Sequence, residues 1–411
     1  MNRDGVSDDR AVSPLIGAIL LLAILMTMLA LLQLNAVPAL VSEAEFDHNQ
    51  RVQGEMRDLA AGIDRSVTTG TSQSIILTPG VRYQSRMFLL NPPPATGTVR
   101  AGEPKTVTIE NATAPGETGD YWNGSPKPIE TRSLIYTPDY NEYHDAPQTV
   151  YDLGTVYNRV GETTLVTDGH QLVNGRTISL TALRGEVSHT SVDRTLLEVR
   201  PSSTGTRTVS VSGTESKPLT LSIPTELTKN QWKDILKNDG HVAEYECSAT
   251  EQADEPCGTL TITLERNVTY EMQLSRVSVG DDSNTWTETY LTDIEGSNAS
   301  VPAGGRQRLV TEVRDEFDNP VSGVSIEADV SSGPGTVTPT VSASGTDGRT
   351  AFVYEAPETV SGVQNITVEA AFGDSNRERV AFELQVWGEP ADNPGQGNGG
   401  NPGQGNGTGN R

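Results

Sequence analysis

The sequence predicts a mainly β protein carried on a long N-terminal α-helix. A membrane or stalk helix comes first, then a β-rich head, a C-terminal β-sandwich and a disordered Gly/Asn/Pro/Gln tail. Three observations lead there. Leu15 to Leu32 is an unbroken apolar run without a charge. Most of the remaining chain consists of short apolar runs cut by 40 Gly and 24 Pro. Beyond residue 286 the apolar residues recur at every second position, the period of strands. The 411 residues hold 54 acidic and 30 basic side chains, for a net charge of −24. That balance excludes binding nucleic acid through its phosphates, which needs clustered Lys and Arg.

The run LIGAILLLAILMTMLALL has one hydroxyl, Thr27. As a helix it extends roughly 27 Å, about one hydrocarbon core. It is apolar on all faces, so a helix lying in the membrane surface is not expected. A secretory signal is the alternative. The run is long for that role, and Gln33-Leu-Asn-Ala-Val-Pro38 leads straight into another helical pattern instead of a cleavage site. Retention in a membrane, single-pass with the bulk of the chain outside, is therefore expected. Residues 1–11 form a charged segment ahead of it, and 12–34 the membrane-type helix.

Pro38 is expected to kink or end that helix. From 35 to 67 the pattern becomes amphipathic: Val52, Met56, Leu59 and Ile63 are spaced 4, 3 and 4. This stripe is expected to pack on the chain's own sheet. Residues 68–285 read as a β-rich head, with runs at Ile75-Ile76-Leu77, Arg82-Tyr83, Met87-Phe88-Leu89-Leu90, Ile178-Leu180, Leu196-Val199, Val209-Val211, Leu219-Ile223, Leu260-Leu264 and Tyr270-Val279. One helix interrupts them, where Thr228 and Gln231 make a capping box ahead of Trp232, Ile235 and Leu236. Residues 286–387 form a second unit with alternating runs Val324/Ile326/Ala328/Val330, Ala351/Val353, Ile366/Val368/Ala370/Phe372 and Val380/Phe382/Leu384/Val386. This is the pattern of a sandwich with one wet face per sheet. Residues 388–411 repeat Asn-Pro-Gly-Gln-Gly-Asn-Gly; they bury no core and carry no apolar block for a C-terminal anchor.

Residues that carry chemistry are few. Cys247 and Cys257 are expected to close a short loop as a disulfide outside the cell. The histidines His48, His144, His170, His189 and His241 form no metal-binding pair. No nucleophile elbow, Walker loop or dinucleotide fingerprint is present. Neither an enzyme nor a cofactor is expected, and no metal site. The acidic turns Asp281-Asp282 and Asp315-Glu316 with Asp318 lack calcium-loop spacing and read as solvated turns. Asn111, Asn123, Asn267, Asn298, Asn365 and Asn406 open Asn-x-Ser/Thr sequons, acceptors for N-glycans in a secreted chain. Five of the 11 tyrosines lie between Tyr136 and Tyr157. Among them Tyr136, Tyr140 and Tyr143, beside Asp139, Asn141 and Glu142, have the composition of a platform for surface glycans. The simpler reading is a hairpin in which each ring packs and each hydroxyl stays wet.

Several stretches resemble known families. Arg10-Ala-Val-Ser-Pro-Leu-Ile-Gly17 ahead of the apolar run resembles the class III leader of archaeal type IV pilins. That resemblance implies a prepilin peptidase cut between Ala11 and Val12, leaving the helix on the mature chain to sit in a membrane or pack with other pilin subunits. Residue 16 is Ile where bacterial pilins carry Glu. The acidic, Arg-rich composition (6 Lys in all) resembles that of secreted proteins of extreme halophiles, whose carboxylates hold water in brine. Ala44-Glu-Phe-Asp-His-Asn-Gln50 and Tyr136-Thr-Pro-Asp-Tyr-Asn-Glu-Tyr143 resemble haloarchaeal pilin-like surface proteins. Asp318-Asn-Pro-Val-Ser-Gly323 and Thr346-Asp-Gly-Arg-Thr-Ala351 resemble the bacterial immunoglobulin-like group 1 repeat of intimin and invasin, although the Gly of the second is shifted. Together these imply a cell-surface structural protein in adhesion or a surface filament. The alternative is a surface protein that binds glycan or calcium without entering a filament.

Overall fold

The computed structural model describes residues 12–388, except 88, 170–171, 206, 238–239, 249–251, 281–286 and 342. The expected leader through Ala11 and nearly all of the tail, with Asn406, lie outside the described residues, as do His170 and Asp281-Asp282. The chain is mainly β with a long N-terminal helix, as the sequence predicts. It divides into two compact units. The first comprises residues 1–288 with 314–319, and the second 289–313 with 320–411.

Helix α1, Val12–Leu31, is followed by a five-residue π-helical stretch, Leu32–Ala36, and then by α2, Val37–Thr69. Pro38 does not end the helix, one of the two outcomes expected of it. It sits in the first turn of α2, where its missing N–H costs nothing. The π turn just before it absorbs the misfit: the Val37 N–H reaches back to the Leu32 carbonyl, and the Asn35 amide donates to the Leu31 carbonyl at 3.0 Å. Gly70, at φ 66°, then stops α2 in a left-handed cap, with its N–H on the Ser66 carbonyl.

The stripe on α2 packs as its spacing predicts. Val52, Met56, Leu59 and Ile63 are fully buried in one core with Ile75, Leu77, Leu197, Val199, Val277 and Val279 of one sheet, and with Val99, Leu134, Tyr136, Tyr151 and Val156 of another. The first of these sheets runs in the order Gln73–Leu77, Thr195–Ser203, Thr269–Val279, Thr177–Arg184, Val173–Asn174, with Val209–Ser212 also on Thr269–Val279. The second runs Ser188–Ser191, Thr96–Ala101, Leu134–Asp139, Gln148–Asp152, Thr155–Val160, Thr163–Asp168. A third sheet runs Val242–Cys247, Pro256–Leu264, Thr220–Thr228, Lys105–Glu110, Lys127–Thr131. Its capped helix, Lys229–Ile235, forms as expected: Gln231 N–H donates to Thr228 Oγ1 at 3.3 Å, and the Thr228 N–H to Gln231 Oε1 at 2.9 Å. Two expected strands of the head do not form among the described residues. Arg82-Tyr83, Met87, Leu89 and Leu90 lie in irregular backbone between Val81 and Ala95, which form an isolated bridge; Phe88 lies outside the described residues.

The second unit holds two four-stranded sheets. One runs Tyr290–Glu295, Arg306–Arg314, Arg349–Glu355, Thr336–Pro339; the other runs Ala299–Pro302, Arg379–Trp387, Val363–Ala371, Glu327–Ser332. Their inner faces share one core containing Leu309, Phe352, Tyr354, Ile366, Val368, Phe382 and Leu384. One face departs from the sequence reading. On Arg349–Glu355 the buried set is Thr350, Phe352 and Tyr354, while Ala351 and Val353 are only half-buried. The two aromatic rings bury far more apolar area than Ala and Val, and a one-residue shift turns the whole strand over.

Gly62 of α2 faces Ile75 at close range: a Cβ there would lie 2.6 Å from Ile75 Cδ1. Leu59→Ala is expected to lower stability by about 2–5 kcal/mol. Gly62→Val should also destabilise, despite Val's better helix propensity, because Ile75 has to repack away from the added side chain. Leu165→Ala, at an exposed position, should change stability by less than about 0.5 kcal/mol. Chemical denaturation of the three variants measures the order.

Candidate functional site

The tyrosine-rich segment meets α2 near its N-terminal end. Glu45 lies on the same stripe as Val41 and Val52, and it is fully buried. Its carboxylate accepts three backbone hydrogen bonds from one loop: Asn141 N to Oε1 at 2.8 Å, Glu142 N to Oε2 at 2.9 Å and Tyr143 N to Oε2 at 2.8 Å. The Tyr83 hydroxyl donates to the same carboxylate, and in turn accepts from Asn141 Nδ2 at 2.9 Å. Burial and this carboxylate together push the Tyr83 phenol well above its ordinary pKa. A buried charge needs this many donors to offset its lost water.

One turn further, His48 is buried between two partners. Its Nε2 lies 3.0 Å from the Thr78 carbonyl, which can only accept. Nε2 therefore carries the proton, and Nδ1 accepts from the Tyr140 hydroxyl at 2.6 Å. Burial lowers the His48 pKa below its ordinary 6.5, and the nearby Arg51 adds to the shift.

These partners decide what the tyrosines do. Tyr136 is fully buried, with its hydroxyl on the Pro79 carbonyl at 2.9 Å, so it offers no ring to a sugar. Tyr151 and Tyr157 are buried too. Tyr140 and Tyr143 stack on each other with centroids 6.2 Å apart, and Tyr143 meets the edge of Phe46 at 5.8 Å. Both are half-buried. The cluster that the sequence points to is thus mainly a seat for α2. Glu45 and His48 were the residues the sequence reading missed. The signal was present: a carboxylate and an imidazole at positions of the stripe that should be apolar.

Beside this seat is a cleft of about 610 Å³ whose lining includes Leu40, His48 and four arginines, Arg51, Arg82, Arg86 and Arg194, against Asp47 and Asp193. Arg82 forms a two-pronged pair with Asp193 at 3.0 and 2.9 Å. Arg51, Arg86 and Arg194 have no carboxylate partner among the described residues, and Arg86 Nη1 is buried without any hydrogen bond. Three arginines without a carboxylate partner make the cleft locally basic in a chain of net charge −24.

The remaining expected sites are spread out. Cys247 and Cys257 are bonded, tying the edge strand Val242–Cys247 to its neighbour Pro256–Leu264. Asn123, Asn267, Asn298 and Asn365 are exposed, whereas Asn111 is half-buried and donates its amide to the Pro218 carbonyl at 3.0 Å. The turn at Asp315 is not solvated, contrary to the sequence reading. Asp315 and Asp318 are buried; Asp315 Oδ1 accepts from Phe317 N and Asn319 N at 2.9 Å each, and Asp318 pairs with Arg314 at 3.0 Å. Short acidic side chains can fold back on their own loop, which a composition count does not reveal.

No family model matches the chain. An uncharacterized protein of Archaeoglobus fulgidus is 29% identical over 328 residues, covering 77% of this chain and 53% of the relative. The chain thus spans about half the length of the curated relative it matches. Among solved structures, domains 4 and 5 of the S-layer protein SbsC align at 14% identity and a TM-score of 0.21, over 35% of this chain and 75% of that one. The D00–D0 domain of intimin aligns at 12% identity and a TM-score of 0.22, over 36% and 77%. The D0–D1 domain of intimin aligns at 15% identity and a TM-score of 0.20, over 43% and 93%. The fold described above rests on the chain's own strand pairing.

Glu45→Gln replaces one accepting oxygen with a donor that faces backbone N–H groups. It is expected to cost about 2–4 kcal/mol, the loss of one or two charge-assisted bonds. The sign for His48 follows from its lowered pKa: the unfolded chain binds the proton first, so stability falls as the pH drops below about 6.5. His48→Gln should flatten that part of the curve relative to the parent. Melting temperatures from pH 7.5 to 5 test both statements.

Proposed function

We propose that this chain is a structural protein of the cell surface, held by its N-terminal helix and carrying two β-rich units outward. The observation that supports it is the contrast along one helical path. Val37–Thr69 is walled into the core of the head, while the apolar window of the preceding helix has none of its residues buried. Each large apolar side chain left in water forgoes roughly 1.5–3 kcal/mol. A run from Leu15 to Leu31 cannot remain so; it is covered by lipid or by other copies of itself. Its length and composition suit a membrane span.

The finer reading is type IV pilin-like. Following the resemblance at Ala11 to Gly17, a prepilin peptidase cuts between Ala11 and Val12, and the freed helix stays in the bilayer or joins the helices of other subunits in a filament core. The Cys247–Cys257 disulfide suits an oxidising exterior. Exposed asparagines at 123, 267, 298 and 365 suit N-glycosylation there. Adhesion, or spacing between the cell and a surface, is the work that such a stalked pair of β units performs without catalysis.

Deleting residues 15–32 is expected to move the protein from the membrane fraction to the soluble one; retention in membranes would refute the anchor. Mass spectrometry of the native N-terminus should find Val12. A start near residue 36 would instead mean ordinary secretion. In glycopeptide mapping, Asn111 should stay bare while the exposed sequons carry glycan.

A further inference from the structure

Where the second and third sheets of the head meet, an amine and a carboxyl are shut in together. Lys105 opens the strand Lys105–Glu110 of the third sheet, and Asp152 closes the strand Gln148–Asp152 of the second. Lys105 Nζ donates to Asp152 Oδ2 at 2.8 Å. The Asp152 side chain is 7% exposed and that of Lys105 21%. Strand pairing holds both ends. Lys105 stands opposite Thr131, and Asp152 opposite Thr155 across a tight turn whose residues, Leu153 and Gly154, both take positive φ. As an ion pair the site is poorly served. Asp152 Oδ1 is buried without a hydrogen bond, whereas Glu45, the buried carboxylate under the tyrosine loop, has donors on both oxygens.

The choice of cation matters as well. Between the same two sheets, Glu226 takes Arg159 Nη1 at 2.5 Å and the Tyr157 hydroxyl at 3.1 Å. Arginine also serves other pairs of the chain, such as Arg276 with Glu316 and Arg349 with Glu312. A guanidinium keeps its proton in a protein and cannot attack a carbon, whereas a lysine taken out of water can become a neutral nucleophile. Burial raises the Asp152 pKa above the ordinary carboxylate range, against the pull of Lys105, and the charge of Glu226 adds to the rise. Passing the proton from Nζ to the carboxylate is thereby favoured, and it leaves a neutral amine beside a neutral acid. We propose that Lys105 and Asp152 condense into an isopeptide bond, a covalent cross-link between the two sheets. The Nζ lone pair attacks Cγ; the Nζ–Cγ bond forms and one Cγ–O bond breaks. That oxygen leaves as water, carrying the carboxyl proton and one proton of the amine. Nothing is oxidised or reduced, and no co-reactant is required. The fold supplies the proximity that turns an encounter into a step within one molecule, and the amide that results removes both desolvated charges. The link ties strand ends 47 residues apart in the chain and stops the two sheets from parting. It stands independently of the anchor reading.

Peptide mapping of the full chain, denatured, reduced and digested with trypsin, reads the bond directly. A host without N-glycosylation keeps the sequons at Asn111 and Asn123 from adding mass. Trypsin does not cut after an acylated lysine. The expected product is one branched peptide, residues 101–132 joined to 133–159, about 18 Da lighter than the two together, the mass of one water. Fragment ions should place the branch at Lys105 and Asp152. Separate, unmodified peptides ending at Lys105 and at Arg159 would mean a plain ion pair and overturn the proposal. A loss of water confined to 133–159, with normal cleavage after Lys105, would mean an imide within that segment and overturn it too. Asp152→Ala should restore cleavage after Lys105 and abolish the branched peptide. A branched peptide that survives this substitution would give Lys105 a different partner and refute the assignment. The parent chain carries the main readout itself, so the test does not depend on a variant that folds.

Discussion

Glu45 is the constraint on which the head's attachment depends. A carboxylate sealed away from water is tolerable only if every lone pair has a donor, and this one finds three consecutive backbone N–H groups and a phenol. The arrangement is reciprocal. The loop at Asn141–Tyr143 has its amides satisfied only because the helix brings a negative charge to it, and the helix can bury that charge only because the loop curls around it. Hydrophobic packing of Val52, Met56, Leu59 and Ile63 supplies most of the adhesion between helix and sheets. It does not fix the helix against sliding or turning, since apolar contacts have little direction. The charged knot and the His48 bridge do, because neither survives a shift of one residue.

How much of this could be read from the chain alone varies with the strength of local patterns. The stripe on α2 was legible because four large apolar residues repeat at helical spacing with charges between them. The capping box at Thr228 was legible because it is a contact between near neighbours. Pro38 misled because its usual consequence assumes an α-helix on both sides, and a π turn supplies the missing room. Strands such as Thr163–Asp168 and Lys105–Glu110 were missed because threonine-rich segments show weak hydropathy contrast. Arg306–Arg314 was missed for the opposite reason: from Leu309 to Val313 both faces are buried, Glu312 included, so no alternation exists to be seen. The tyrosine cluster was visible as a cluster, but its partners lie about 90 residues away on the helix. Sequence proximity could not say that the rings seat a helix instead of facing a sugar.

Charge is distributed with a purpose that the total conceals. The chain is strongly acidic, yet its cations are mostly arginines, and several pair with carboxylates: Arg82 with Asp193 through two nitrogens, Arg349 with Glu312 and Arg379 with Glu369 through one. Guanidinium suits this work because its fork matches a carboxylate and it sheds water more readily than an ammonium group. Three arginines without a carboxylate partner among the described residues, Arg51, Arg86 and Arg194, line one cleft beside the helix. Against a net charge of −24, the lining of that cleft is locally basic.

The widened turn at Leu32–Ala36 has a mechanical consequence. Above it α2 is welded to the sheets, and below it α1 is a bare rod, so bending or twisting imposed from outside concentrates in those five residues. A π turn already trades regular hydrogen bonding for slack, and it can tighten or loosen without disturbing either neighbour. The joint of the long helix thus falls where a segment without packing partners in the chain meets one fixed by its core, as an ankle joins foot and leg.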